Sequence, residues 1–459
     1  MTPALASAAQ AGTPNREPPG DPVAADPVVP DSVVPDPVVP DPASRPTLLP
    51  LGALALLVAA VGAGWIYGSR NPQWQLQAPP FFAEFGFSSP LRLLPALALA
   101  IAGYWWLIRP AASHLALRAS VVALGWALAL MWADGPTGLE GISGPYDYLA
   151  VLPSIGKTGV SNFLSTFSAS VAEYPIHVQG HPPGFPVLLY GLSQLGLVGT
   201  GPLVALAAGG WAVATGCAVA VAGWLRREAD RWVAPFVAVS PAALWVASAD
   251  GFFAGVVALS ILLVVFAALH GGWRSRLAAG GAGIVGGGAL LLTYGAAPLV
   301  LLGGVVALRR RRYDTLAWAA GGGLAVLVAS SLFGFSWLAG LEATRQRYEA
   351  GVSSERPFAY FVWANLAVLA VMLGPAVLRG LGRLTAKRDL LTALATAAVA
   401  AVLLADLSGL SRGEVERIWI PFVPWLALGA AGRWPHRAVW FASATLVTFS
   451  VQMVVRSPW

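Results

Sequence analysis

The stretch ADGPTGLEGISGPYDYL (133–149), followed further on by AEYPIHVQGHPPGFP (172–186), decides how the whole chain is read. Acids, histidines and tyrosines gather there between two apolar runs, in a protein that is elsewhere almost free of charge along its hydrophobic segments. Ionisable groups beside lipid are costly and tend to mark function. A connection of about 45 residues with helix patterns of its own is also longer than a connector needs to be. The segment 134–180 is therefore expected to be a large outer loop that holds the active site.

Working outward, 57% of the residues are hydrophobic and 11% charged, and the mean hydropathy is +0.67. No soluble domain hides that much apolar surface, so the composition implies a polytopic membrane protein. The 19 tryptophans against 4 methionines fit aromatic anchoring at both membrane–water interfaces. The net charge of +6 does not point to nucleic acid, because the arginines fall in short clusters between apolar runs. The single cysteine, Cys217, excludes an intrachain disulfide and reads as a small buried residue. Residues 1–47 differ from the rest. Asp21, Asp26, Asp31, Asp36 and Asp41 recur in a proline-rich run that suppresses helix and sheet, so a disordered acidic cytoplasmic tail is expected rather than a signal peptide.

Apolar segments long enough to span occur at 48–67, 91–109, 115–133, 201–224, 232–248, 252–270, 277–293, 315–335, 358–379, 389–408, 417–432 and 438–455. A shorter one at 296–308 follows Tyr294-Gly295. The fold class is thus an all-α transmembrane bundle of about 12–13 spans in the region 48–459. Arginine clusters around 109–118, 226–231, 274–276, 309–312, 379–388 and 433–437 mark cytoplasmic turns and put loop 134–180 outside. That parity requires 181–198 not to cross. Within the loop, 146–155 and 161–171 read as short amphipathic helices lying over the bundle.

Asp134 directly follows an apolar run, which suits a half-buried carboxylate acting as general base; the alternative is an Asp-Gly turn that ends the helix, and position and context favour the base. Asp147, beside Tyr146 in PYDY, and Glu140 are the other candidate bases. His181, held by the following prolines at a helix mouth, suits hydrogen bonding to a sugar or phosphate. Glu173, His177 and His181 have ligand-like spacing, but Pro175 and Gly180 break the helix that would align them, so no metal or other cofactor is indicated. Asp250 and Tyr294 fall at helix ends on the outer side, where Asp250 also reads as a helix N-cap. Arg345, Arg347 and Arg356 lie outside against the general charge bias, which suggests an anionic lipid phosphate or salt bridges to neighbouring glutamates. Glu414, Glu416 and Arg417 open an apolar run, and an Arg tolerated there implies an anionic partner.

With Asp134 at the loop start, His181-Pro182-Pro183-Gly184 at its end and Gly413-Glu414-Val415-Glu416-Arg417-Ile418-Trp419 late in the chain, the sequence resembles the GT-C superfamily of membrane glycosyltransferases, closest to its mannosyltransferase-like group. The resemblance implies sugar transfer from a polyprenyl-phosphate donor to a glycan or lipid acceptor at the outer face of the plasma membrane. In that scheme Asp134 is the base, and Arg417 with the arginines of 345–356 lies near the phosphate. Two apolar segments, 48–67 and 91–109, precede the one that leads into the large loop. The competing expectation is a secondary transporter, with the Gly-rich run 280–288 as a broken helix.

Overall fold

The computed structural model describes residues 48–109, 114–135, 138–139, 141–144, 147–384 and 388–458. The acidic tail, Glu140 and Tyr146 lie outside these residues. The described part is an all-α membrane bundle. Ten of its helices are long and apolar enough to cross a bilayer: α1 (Leu49–Gly68), α2 (Pro90–Ile108), α3 (Leu115–Asp134), α4 (Thr200–Leu225), α5 (Ala249–Leu269), α6 (Gly272–Leu292), α7 (Tyr313–Leu332), α8 (Phe358–Leu381), α9 (Leu390–Leu407) and α10 (Arg437–Val454).

The two other long apolar runs are broken by proline, which removes a backbone donor and clashes with the preceding turn. Pro235 lies near the end of helix Ala229–Ala238, and the chain resumes as a 3-10 turn, Pro241–Trp245. Pro421 and Pro424 divide the run after Arg417 into the short pieces Val415–Ile418, Ile420–Phe422, Val423–Leu426 and Ala427–Ala430. The run near 296–308 is likewise divided, into Ala297–Val300 and Leu302–Arg309. Helix α8 kinks at Gly374, whose φ of 71° lies in the region glycine tolerates, just before Pro375.

The segment 181–198 forms only a ten-residue helix, Gly184–Ser193. At about 15 Å it reaches half the thickness of a hydrocarbon core. Its flanks lie at the same end of the bundle. His181 bonds Tyr148 and Thr200 bonds Ser143, and both partners belong to the long loop. The segment does not cross.

Polar contacts gather at two opposite ends. At the arginine end, Arg226 grips Asp389 at 2.6 and 2.8 Å, Arg433 bonds Glu228 and Arg312 bonds the carbonyl of His270. At the loop end, the strap 69–89 between α1 and α2 meets the C-terminus, where β1 (Glu84–Phe85) pairs antiparallel with β2 (Val455–Arg456). Between these ends, small residues let backbones touch. A Cβ on Gly210 of α4 would stand 2.4 Å from the carbonyl of Gly251 in α5, and one on Gly283 of α6 would stand 2.0 Å from that of Ala319 in α7. Such close approach is how helices associate when no hydrophobic force separates protein from lipid. Only 11% of α1 and of α7 is buried, against 67% of α8, so α1 and α7 are peripheral and α8 central.

The long loop builds a layer over this end. Its first amphipathic stretch becomes a 3-10 turn, Tyr148–Val151, and a helix, Leu152–Thr158, and its second becomes helix Val160–Thr166. Ile155, Phe163, Phe167 and Phe185 pack into a small core of their own with Phe253 and Phe335.

Candidate functional site

Beneath that layer, a buried chain of ion pairs links three parts of the sequence. Ser248 caps α5, so Asp250 stands in the first helical turn rather than at the cap, where the helix dipole favours its charge. Its Oδ2 accepts from Nη1 of Arg417 at 3.0 Å, and both side chains are under 10% exposed. Arg417 reaches this position because its short helix starts just after Gly413 and Glu414, both with positive φ, which turns the chain inward. Nη2 of Arg417 bonds Glu414 at 3.2 Å, and the other oxygen of Glu414 accepts from Arg356 at 3.2 Å. Arg356 also donates to the carbonyl of Arg412 and to Gln75 of the strap, and its guanidinium lies 5.2 Å from the ring centre of Phe82. Anion and cation alternate along the series Asp250, Arg417, Glu414, Arg356. Burial pushes the Glu414 carboxyl up, but the charges of Arg417 and Arg356 more than reverse this and hold it below the ordinary range.

A second network faces the first. Oδ1 of Asp147 lies 2.7 Å from Nδ1 of His177. His177 and His181 sit four residues apart, either side of the short helix end at Gln179, which brings Nδ1 of His181 within 2.8 Å of the His177 carbonyl and 3.0 Å of the Tyr148 hydroxyl. A carbonyl only accepts, so Nδ1 of His181 carries the proton and its Nε2 is the acceptor. Burial lowers the His181 pKa to about 4, with Asp250 opposing and Arg417 adding to the shift, so the ring is neutral at pH 7. Burial also pushes the Tyr148 hydroxyl well up, keeping it neutral, and it accepts from the protonated Nδ1 of His181.

Between the two networks lies a small cavity of about 10 Å³, lined by Asp147, Tyr148, His177, Ser248, Arg417 and Pro458 among others. It has room for about one water molecule. The structure therefore brings Asp147, His181, Asp250, Arg356, Glu414 and Arg417 together, as the sequence suggested for each separately. Of these, Asp147 and Arg417 line the cavity itself, and none of the other described candidates does. Asp134 accepts from Gln452 at 2.5 Å and from Arg456 at 3.3 Å, so it is tied to the C-terminal segment. Tyr294 packs edge-on against Trp337. Arg345 pairs with Glu349 across an exposed helical turn, and Arg347 curls toward Gly351. Glu416 is fully buried, and its Oε1 accepts the N–H of Phe82 at 2.9 Å.

Sequence reading weighed His177 only as a metal ligand, took Tyr148 only as part of one side of the amphipathic stretch 146–155, and passed over Gln75 and Arg412. For His177 a signal existed, since an Asp and a His at opposite ends of one loop are free to meet. For Gln75 and Arg412 there was none. Among the described residues, no three His, Cys, Asp or Glu side chains gather in a way that would hold a metal ion. The sequence matches no known protein-family model and no curated protein.

Proposed function

We propose that the chain is a glycosyltransferase that moves a sugar from a polyprenyl-phosphate donor to a hydroxyl of a glycan or lipid acceptor at the outer face of the plasma membrane. The observation that carries this reading is the Asp147–His177 pair facing the buried Arg417 across one cavity. A carboxylate that accepts from Nδ1 fixes an imidazole tautomer whose Nε2 carries the basic lone pair. In this scheme Nε2 of His177 takes the proton of the acceptor hydroxyl, and Asp147 stabilises the imidazolium that forms. The acceptor oxygen forms its bond to C1 of the sugar as the C1–O bond to phosphate breaks. The phosphate leaves with the bonding electrons, and Arg417 faces that developing charge in a water-poor setting where electrostatic stabilisation is strong. Asp134, already occupied by Gln452 and Arg456, holds the C-terminal segment in place in this reading.

A secondary transporter places charges or broken helices near the membrane midplane. The ionisable cluster here sits at one end, and the run 280–288 forms part of the unbroken helix α6. The test is sugar transfer from radiolabelled polyprenyl-phosphate sugars by membranes carrying wild type or His177→Gln at matched levels. Transfer lowered by ~100-fold or more in the variant supports the reading. Equal transfer by both, or none above empty membranes with hexose and pentose donors, removes it.

A further inference from the structure

A second recess opens at the loop end, with a lining that shares no residue with the cavity. It is a groove of about 290 Å³ between helix Trp337–Ala350 and the turn after α9, lined by Arg345, Tyr348, Glu349, Ser408, Leu410 and Arg412 with Gly409. Its most informative residue is Arg412. Nε of Arg412 donates to the carbonyl of Gly409 at 3.2 Å, and Nη1 donates to those of Ser354 and Arg356 at 3.4 and 3.2 Å. The Tyr348 hydroxyl accepts from its backbone N–H at 2.8 Å. Carbonyls orient a guanidinium without cancelling its charge. Among the described residues Arg412 forms no ion pair with a carboxylate, unlike Arg345, Arg356 and Arg417. A cation held rigidly by neutral acceptors, with its Nη2 edge bonded to none of the described residues, is prepared for an anion from outside the chain.

The surroundings say what kind of anion. The groove wall continues onto exposed apolar side chains, with Leu404 65%, Leu407 64% and Leu410 42% exposed, beside Phe358. These belong to the last turns of the spanning helix α9 and the turn after it, at the level where hydrocarbon gives way to headgroups. A free aqueous anion has no use for such a lip, whereas an amphiphile fills groove and lip at once.

We propose that this groove binds the phosphate headgroup of a membrane lipid, with Arg412 as its main contact, Arg345 as a second cation and the lipid chain lying along Leu404, Leu407 and Leu410. The site is distinct from the cavity and does not depend on the sugar-transfer reading. It is nonetheless tied to the buried ion-pair series, because the carbonyl of Arg412 accepts from Arg356, which in turn pairs with Glu414. Lipid occupancy thereby fixes the turn that holds Arg356.

The test is native mass spectrometry of the full chain in detergent, titrated with phosphatidylglycerol, with diacylglycerol and with inorganic phosphate. Wild type retains phosphatidylglycerol in preference to the other two. Arg412→Gln weakens that retention by about 10-fold or more, as expected for loss of a charge-assisted contact, and Arg345→Gln weakens it by about 3-fold. Arg412→Gln also removes bonds to three carbonyls, so Arg412→Lys, which keeps the charge, serves as the folded control and retains most of the binding. Unchanged retention in Arg345→Gln together with equal retention by Arg412→Gln overturns the proposal. Diacylglycerol or inorganic phosphate binding as well as phosphatidylglycerol also overturns it. Loss of sugar transfer in cavity variants leaves this result untouched, so the two readings fail separately.

Discussion

Replacing Arg417 with methionine probes the buried ion-pair series directly. The side chain keeps a similar volume, but Asp250, at 2% exposure, loses its only counter-charge among the described ion pairs, and Glu414 loses one of two. Leaving a charge buried without its partner costs ~3–5 kcal/mol, far more than the pair itself contributes. For a domain of this size, an unfolding entropy of ~2 cal/mol/K per residue converts that cost to a fall in Tm of about 3–6 °C. Intrinsic fluorescence suits the assay, because fully buried Trp245 and Trp419 stand close to Asp250 and Arg417 in the chain. Neutralising the stranded carboxylate in the double variant Arg417→Met/Asp250→Asn is expected to recover more than half of the drop. If Arg417→Met melts with wild type, or if the second substitution adds its own loss instead of recovering part of the first, the buried series does not operate as described.

Acid sensitivity follows from His181. Its pKa in the fold, about 4, lies below the unfolded value of 6.5, so the unfolded chain takes up a proton that the native state refuses. Stability from this residue therefore declines as pH falls from 6.5 and levels off below about 4, a change of at most ~3 kcal/mol, and His181→Gln should flatten the Tm–pH curve in that window. Gly380→Ala should sharply reduce folded yield, because its Cβ would stand 1.9 Å from the carbonyl of Gly429; Gly281→Ala, with nothing within 4 Å, should leave yield and Tm unchanged. In a Cys217→Ala background, a cysteine at Ser354 should react with an impermeant maleimide added to intact cells, and one at Arg310 should not. The opposite pattern would invert the proposed sidedness.

The fold was largely legible because spanning helices announce themselves by length and apolarity. Ten of the twelve long runs became single helices, and the two exceptions, 232–248 and 417–432, contain the prolines that broke them. The short reach of Gly184–Ser193 was legible too, from the prolines before it and from charge parity. The site was legible only one residue at a time. Asp250 and Arg417 each looked out of place at a helix end, yet 167 residues separate them, and nothing in spacing says that they meet. Asp134 looked most like a base because local context stops at the loop. Its partners, Gln452 and Arg456, come from the far end of the chain. The role of the first two helices was also hidden, since only the folded strap shows Gln75 and Phe82 closing on Arg356.

The most direct test sets two carboxylates against each other. Sugar transfer from a polyprenyl-phosphate donor is measured in membranes carrying wild type, Asp147→Asn or Asp134→Asn at equal protein level. Asp147→Asn is predicted to lower the rate by ~10²–10⁴-fold, the range for loss of a general base or the group that orients it. Asp134→Asn is predicted to keep transfer within about 10-fold of wild type while lowering Tm, as a lost tether to Arg456 would. Full transfer by Asp147→Asn with abolition by Asp134→Asn would contradict the assignment and return the base to the end of α3.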